Sequence, residues 1–162
     1  MNKLRKSQSG FTLIELVMVI VLIGILSYGA SSLYSSRDAF AGYIAKQQLI
    51  SSALLAQQIA MGMSATNDPV SLSVGLDSDD VWIFTLTKVG QSATTLTQDS
   101  SGGSLVIDSA AITAGASQTF TWNSQASISD GANHEIRFVG TTTHYVCLSS
   151  SGYAYESQAA CP

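Results

Sequence analysis

Proline is almost missing from this chain. Of 162 residues only Pro69 and Pro162 are proline, so nothing in the first 68 positions forces a helix to break. Basic side chains are scarce as well: seven Lys and Arg stand against eleven Asp and Glu. Three of the seven, Lys3, Arg5 and Lys6, crowd the N-terminus, and the remainder of the chain holds four against eleven, a net of −7. Such a surface has no cationic stripe for a phosphate backbone, and direct nucleic-acid binding is not expected. There are two cysteines, too few for a metal site without further ligands. No phosphate-binding glycine loop, nucleophile elbow or acid and base pair stands out among the many serines. No enzyme activity and no cofactor are expected.

What is present begins at Gly10-Phe11-Thr12-Leu13-Ile14-Glu15. From Leu16 to Leu26 every residue except Gly24 is large and apolar, and the run 11–30 supplies the roughly 20 residues that a helix needs to cross a bilayer. A carboxylate beside hydrocarbon is costly, which makes Glu15 a functional candidate in need of a partner. A cut between Gly10 and Phe11 would provide one. The new ammonium would lie four residues before Glu15, on the same helical face, within one chain or between two parallel chains. The leader cations precede the apolar run and the next is Arg37, so residues 1–10 are expected in the cytoplasm and the rest of the chain outside.

A basic leader and an apolar core also describe a secretory signal peptide, and the small residues Ser27 and Gly29 would permit a cut before Ala30. Glu15 speaks against that reading, since a secretory signal has no use for a carboxylate there.

Lys3, Arg5 and Lys6, followed by Gly10, Phe11, Thr12, Leu13, Ile14 and Glu15 and the apolar run to Leu26, closely resemble the class III signal of type IV pilins and type II secretion pseudopilins. The resemblance covers about the first 30 residues. It implies cleavage after Gly10 by a prepilin peptidase and N-methylation of Phe11. It also implies assembly, with other pilin subunits and inner-membrane pilus machinery, into a filament whose core is a bundle of N-terminal helices. The subunit would sit in a bacterial inner membrane as a single-pass protein with a periplasmic head, then in an extracellular pilus. Major pilins usually carry a kinking proline about twenty residues into the mature chain, where Ser31, Ser32 and Leu33 stand here. This favours a minor pilin or pseudopilin. With its length and cysteine-closed tail, the whole chain is most similar to minor pilins of the mannose-sensitive haemagglutinin (MSHA) type. A periplasmic ligand-binding domain on a permanent anchor is the alternative from another class.

The expected fold is α+β. Residues 1–10 form the leader and 11–63 one long helix whose first half, 11–30, is transmembrane. Residues 64–162 form an antiparallel sheet head that covers the helix's second half. Phe40, Tyr43, Ile50, Leu54 and Met61, with Ala53 and Ala60, mark the face toward the sheet. Strands are expected at Val81–Lys88, Leu105–Ile107, Gln118–Trp122, Glu135–Val139 and Tyr145–Leu148. Turns fall at Ser101-Gly102-Gly103, Ala114-Gly115 and Asp130-Gly131.

In an exported head Cys147 and Cys161 are expected to form a disulfide that pins the terminal segment, with Tyr153 and Tyr155, onto the sheet. Asp77, Asp79 and Asp80 make a compact acidic loop that could hold Ca²⁺, although a solvated turn is the simpler reading. His134 and His144 could meet on a metal across neighbouring strands.

Overall fold

The computed structural model describes residues 12–62 and 69–161. A helix α1, Leu13–Met61, opens the fold and is 49 residues long. Thr12 heads it, its carbonyl accepting the N–H groups of Glu15 and Leu16 at 3.1 and 3.3 Å. Glu15 occupies the first turn, where a negative charge complements the exposed N–H ends. Gly62 closes it by donating to Gln58 and Ile59. The expected ends Phe11 and Met63 lie outside the described residues. The chain divides into two compact units between Ser36 and Arg37.

In the first unit every described side chain from Thr12 to Tyr28 is exposed. Among the described residues no helix is long and apolar enough to cross a membrane. The side chains of Phe11, Gly29 and Ala30, which belong to the expected 11–30 span, lie outside the description.

Among its described residues the second unit holds the rest of α1 and nine strands. In chain order these are β1 Val70–Leu76, β2 Val81–Lys88, β3 Thr94–Asp99, β4 Ser104–Ile107, β5 Ala110–Ile112, β6 Ser117–Trp122, β7 His134–Val139, β8 Thr143–Leu148 and β9 Ala154–Ser157. The single expected sheet is in fact two, one of four strands ordered β3-β2-β1-β6 and one of five ordered β5-β4-β7-β8-β9. All ladders are antiparallel. The chain leaves the first sheet at the turn after β3, where Ser101 and Gly102 take positive φ, returns as β6, and then completes the second.

Alternation decides which faces meet. Val70, Leu72 and Val74 of β1, Trp82 and Phe84 of β2, and Phe120 and Trp122 of β6 are buried, as are Leu105, Ile107, Ile136, Phe138, Val146 and Leu148 from the second sheet. Phe138 ties the two together, edge-on to Trp82 at 5.0 Å and to Phe84 at 6.0 Å between ring centroids. These edge-to-face contacts suit the ring quadrupoles and add to the burial of area.

The helix face needs correction. Phe40, Tyr43 and Met61 are exposed, at 63%, 48% and 61%, and Ile50 and Leu54 are half-buried. Ala53 and Ala60 are buried as expected, and the stripe is completed by Ala41, Ala45, Leu49 and Ala56 in place of the large residues. The reason is steric: the strands bring large rings, so the helix contributes small side chains and approaches closely. Gly42 shows how closely, since a Cβ there would stand 2.8 Å from Cδ2 of His144.

Candidate functional site

At the N-terminal site the structure begins one residue past the expected cut, because Gly10 and Phe11 lie outside the described residues. Glu15 is exposed in the first turn, flanked by exposed Leu13, Ile14, Leu16 and Val17. Among the described residues no cation pairs with it. The arrangement is a lone carboxylate on an apolar cylinder, able to accept a positive group from beyond the described residues.

In the head the expected disulfide is formed between Cys147 and Cys161, whose Cα atoms are 5.7 Å apart. A strand and a tail meet there. Cys147 lies in β8 opposite Tyr155 of β9, while the N–H of Cys161 donates to Glu135 Oε2 at 2.8 Å. The bridge therefore fastens the residues after β9 to the second sheet. Tyr155 is held by the β8–β9 ladder itself, with Tyr153 stacked on it at 6.2 Å.

The acidic loop is a hairpin turn. Asp77 Oδ1 accepts the N–H of Ser78 at 2.7 Å, the N–H of Asp77 reaches Val81 O at 2.8 Å, and Asp80 carries the positive φ of 57° that closes the turn. No group of His, Cys, Asp and Glu suited to a metal ion occurs among the described residues.

The two histidines do not meet. β7 and β8 run antiparallel, so His134 faces Leu148 and His144 faces Phe138, at opposite ends of the ladder. Each has other neighbours. His144 lies against Tyr43 of α1 and shares a hydrogen bond with Thr142.

His134 is clamped between two carboxylates, Asp108 Oδ2 at 2.6 Å from Nδ1 and Asp130 Oδ2 at 2.9 Å from Nε2. With both ring nitrogens committed, neither is free for a metal or a substrate. Asp108 also accepts the N–H of Glu135. The carboxyl of Asp130 is held below its ordinary range, first by the Ala132 N–H and then by His134. Twenty-six residues separate Asp108 from His134, and only the β4–β7 pairing brings them together.

A second cluster escaped the sequence. Lys46, buried on the inner face of α1, donates to Glu156 of β9 at 2.7 Å and lies 4.6 Å from the centre of the Tyr43 ring. That hydrogen bond and charge hold the Glu156 carboxyl below its ordinary range. A lysine in a stripe of alanines was the available signal. Its aliphatic stem covers apolar surface while the head reaches a carboxylate.

The first unit is thus a helical segment with exposed apolar side chains, and the second a disulfide-closed head of two antiparallel sheets with the rest of α1. Residues 5–30 match the prokaryotic N-terminal methylation motif. That match supports a pilin or pseudopilin subunit, a class whose work is structural. No curated protein and no solved structure matches the chain.

Proposed function

We propose that the chain is a minor structural subunit of a type IV pilus, most similar to the MSHA type. In this reading residues 11–30 anchor it in the inner membrane, a prepilin peptidase cuts after Gly10, and Phe11 is methylated. The subunit then leaves the bilayer for a filament with other pilins. The observation that carries this is the methylation motif over residues 5–30, with Glu15 in the first turn of a 49-residue helix.

The physical task is register. Leucine-like surfaces in lipid slide past one another with little preference, so a bundle of such helices needs a specific contact. Glu15 supplies it by pairing with the Phe11 ammonium of another subunit. A dry, unpaired carboxylate costs several kcal/mol and a paired one much less. Cleavage is thereby coupled to assembly, because only the processed chain carries the ammonium.

A type II secretion pseudopilin is the second reading, since Ser31, Ser32 and Leu33, where a major pilin has proline, fit it as well as a minor pilin. A ligand-binding head on a permanent anchor is the reading from another class. Shear separates it from the pilus reading, because a pilus subunit is recovered with sheared surface fibres and a permanent anchor stays with the cells. Within that assay Glu15→Val should be inserted and folded normally yet depleted from the fibres. Fibres that hold Glu15→Val at the wild-type level would remove the pairing mechanism.

A further inference from the structure

Sheets with open edges invite further strands, and folded proteins usually shorten, cover or charge those edges. Three of the four edges here are dealt with in that way. β5 has three residues and β9 four, and the C-terminal end of β6 is met by Ile128, which bridges to Trp122, and by Ser129, which donates to Thr121.

β3 is different. Its six residues, Thr94 to Asp99, are exposed except for half-buried Gln98. Among the described residues no backbone hydrogen bond reaches its outer side. The strand has no proline, no lysine and a single charge, Asp99, at its end. Its inner face is also unfinished. Leu96 stands opposite buried Phe84, which stands opposite Val74. This apolar row of the first sheet therefore ends in a leucine that is 38% exposed.

We propose that β3 pairs with β3 of a second copy of this chain, antiparallel about a two-fold axis through Leu96, joining two four-stranded sheets into one of eight strands. The sequence Thr94-Thr95-Leu96-Thr97-Gln98 is self-complementary in this register. Leu96 meets Leu96 on the inner face, completing the apolar row of both copies. Thr95 meets Thr97 on the outer face, a hydroxyl pair of the kind already present between Thr85 and Thr95 at 3.2 Å. Thr94 meets Gln98. Asp99 falls opposite Ala93, so no like charges face each other across the seam.

Shifting the register by two sets Leu96 opposite Thr94 or Gln98. Shifting it by one turns the inner face of one copy to the outer side of the other. One register is thus favoured by side chains alone. Nothing in the pairing uses the N-terminal motif, so the filament reading and this one can fail separately.

The test is cysteine pairing in the full-length protein in membranes. The described residues hold no free cysteine, so an introduced thiol reports its own neighbour. Facing residues of an antiparallel pair have Cα atoms about 4.5–5.5 Å apart, within the span of about 4.4–6.8 Å that a disulfide accepts. Under mild oxidation Leu96→Cys should give a covalent homodimer. Thr95→Cys and Thr97→Cys should cross-link when co-expressed and only weakly when each is alone. Adding Thr95→Lys to the Leu96→Cys chain should remove the dimer.

Val89→Cys, exposed at 56% and outside the strand, is the collision control. A Leu96→Cys dimer no stronger than that control would overturn the proposal. So would Thr95→Cys pairing with itself as well as with Thr97→Cys, or Leu96→Cys joining a different protein.

Discussion

Among the described glycines Gly152 leaves the least room for a Cβ, and a single methyl group there tests the packing account. The residue closes the turn between β8 and β9, where its N–H reaches Ser149 O at 2.7 Å with φ at 84°. Its carbonyl accepts the indole N–H of buried Trp122 at 3.0 Å. A Cβ at this position would lie 2.0 Å from Ala126 O and 2.8 Å from Trp122 Nε1. Those atoms belong to backbone and to a buried ring, so the turn itself must move. Gly152→Ala adds a cost of about 1 kcal/mol for the left-handed backbone. Displacing the turn then strands the Trp122 donor, a further cost of about 1–3 kcal/mol. Together these give a loss of roughly 3 kcal/mol. Gly90→Ala supplies the internal standard, because Gly90 shares the positive φ, at 78°, but has open space around it. It should lose about 1 kcal/mol. Urea unfolding of the full-length protein in detergent, followed by tryptophan fluorescence, compares the two. Equal losses for both variants would refute the claim that Gly152 joins the β8–β9 turn to the first sheet.

Replacing Cys147 and Cys161 by serine should cost about 3 kcal/mol on the chain-entropy account, read in the same unfolding assay. Thiol labelling of the denatured, non-reduced wild type should find neither cysteine free, and two reactive thiols would contradict the bridge. Acid should loosen the contact between α1 and β9. The hydrogen bond and charge of Lys46 lower the Glu156 carboxyl in the folded state, so the stabilisation is present above the ordinary carboxylate range and is lost as pH falls through the lowered one. Unfolding against pH should show that loss in wild type and a smaller one in Lys46→Met, and identical profiles would count against the clasp.

Local signals in the sequence carried much of this fold. Trp82, Phe84 and Leu86 are buried at every second position, with Val81, Ile83 and Thr85 half-buried between them, and β2 has the bounds that this alternation marks, Val81–Lys88. The polar strand β3 gave no such signal, because its residues have no covered face to write into the pattern. β1 does carry a legible alternation, Val70, Leu72 and Val74 against Ser71 and Ser73, which the expected strands left out, whereas β9 is four mixed residues held by its ladder with β8. On α1 the large residues Phe40, Tyr43 and Met61 drew the expected face, whereas the alanine stripe does the packing. Helical spacing identifies a face, but only the bulk of the opposing strands decides whether small or large side chains fill it. The clamp on His134 lay beyond reading, since Asp108 and Asp130 reach it through two turns and a ladder. At the N-terminus the opposite holds: the methylation motif is local and written in consecutive residues.

The central claim, a processed filament subunit, is tested most directly by the N-terminus of the protein recovered from cells. Mass spectrometry and N-terminal sequencing should find a chain that starts at methylated Phe11, and Gly10→Val should leave the precursor uncut with its ten-residue leader. A wild-type chain that starts at Ala30 would contradict the account and establish an ordinary secretory signal in its place.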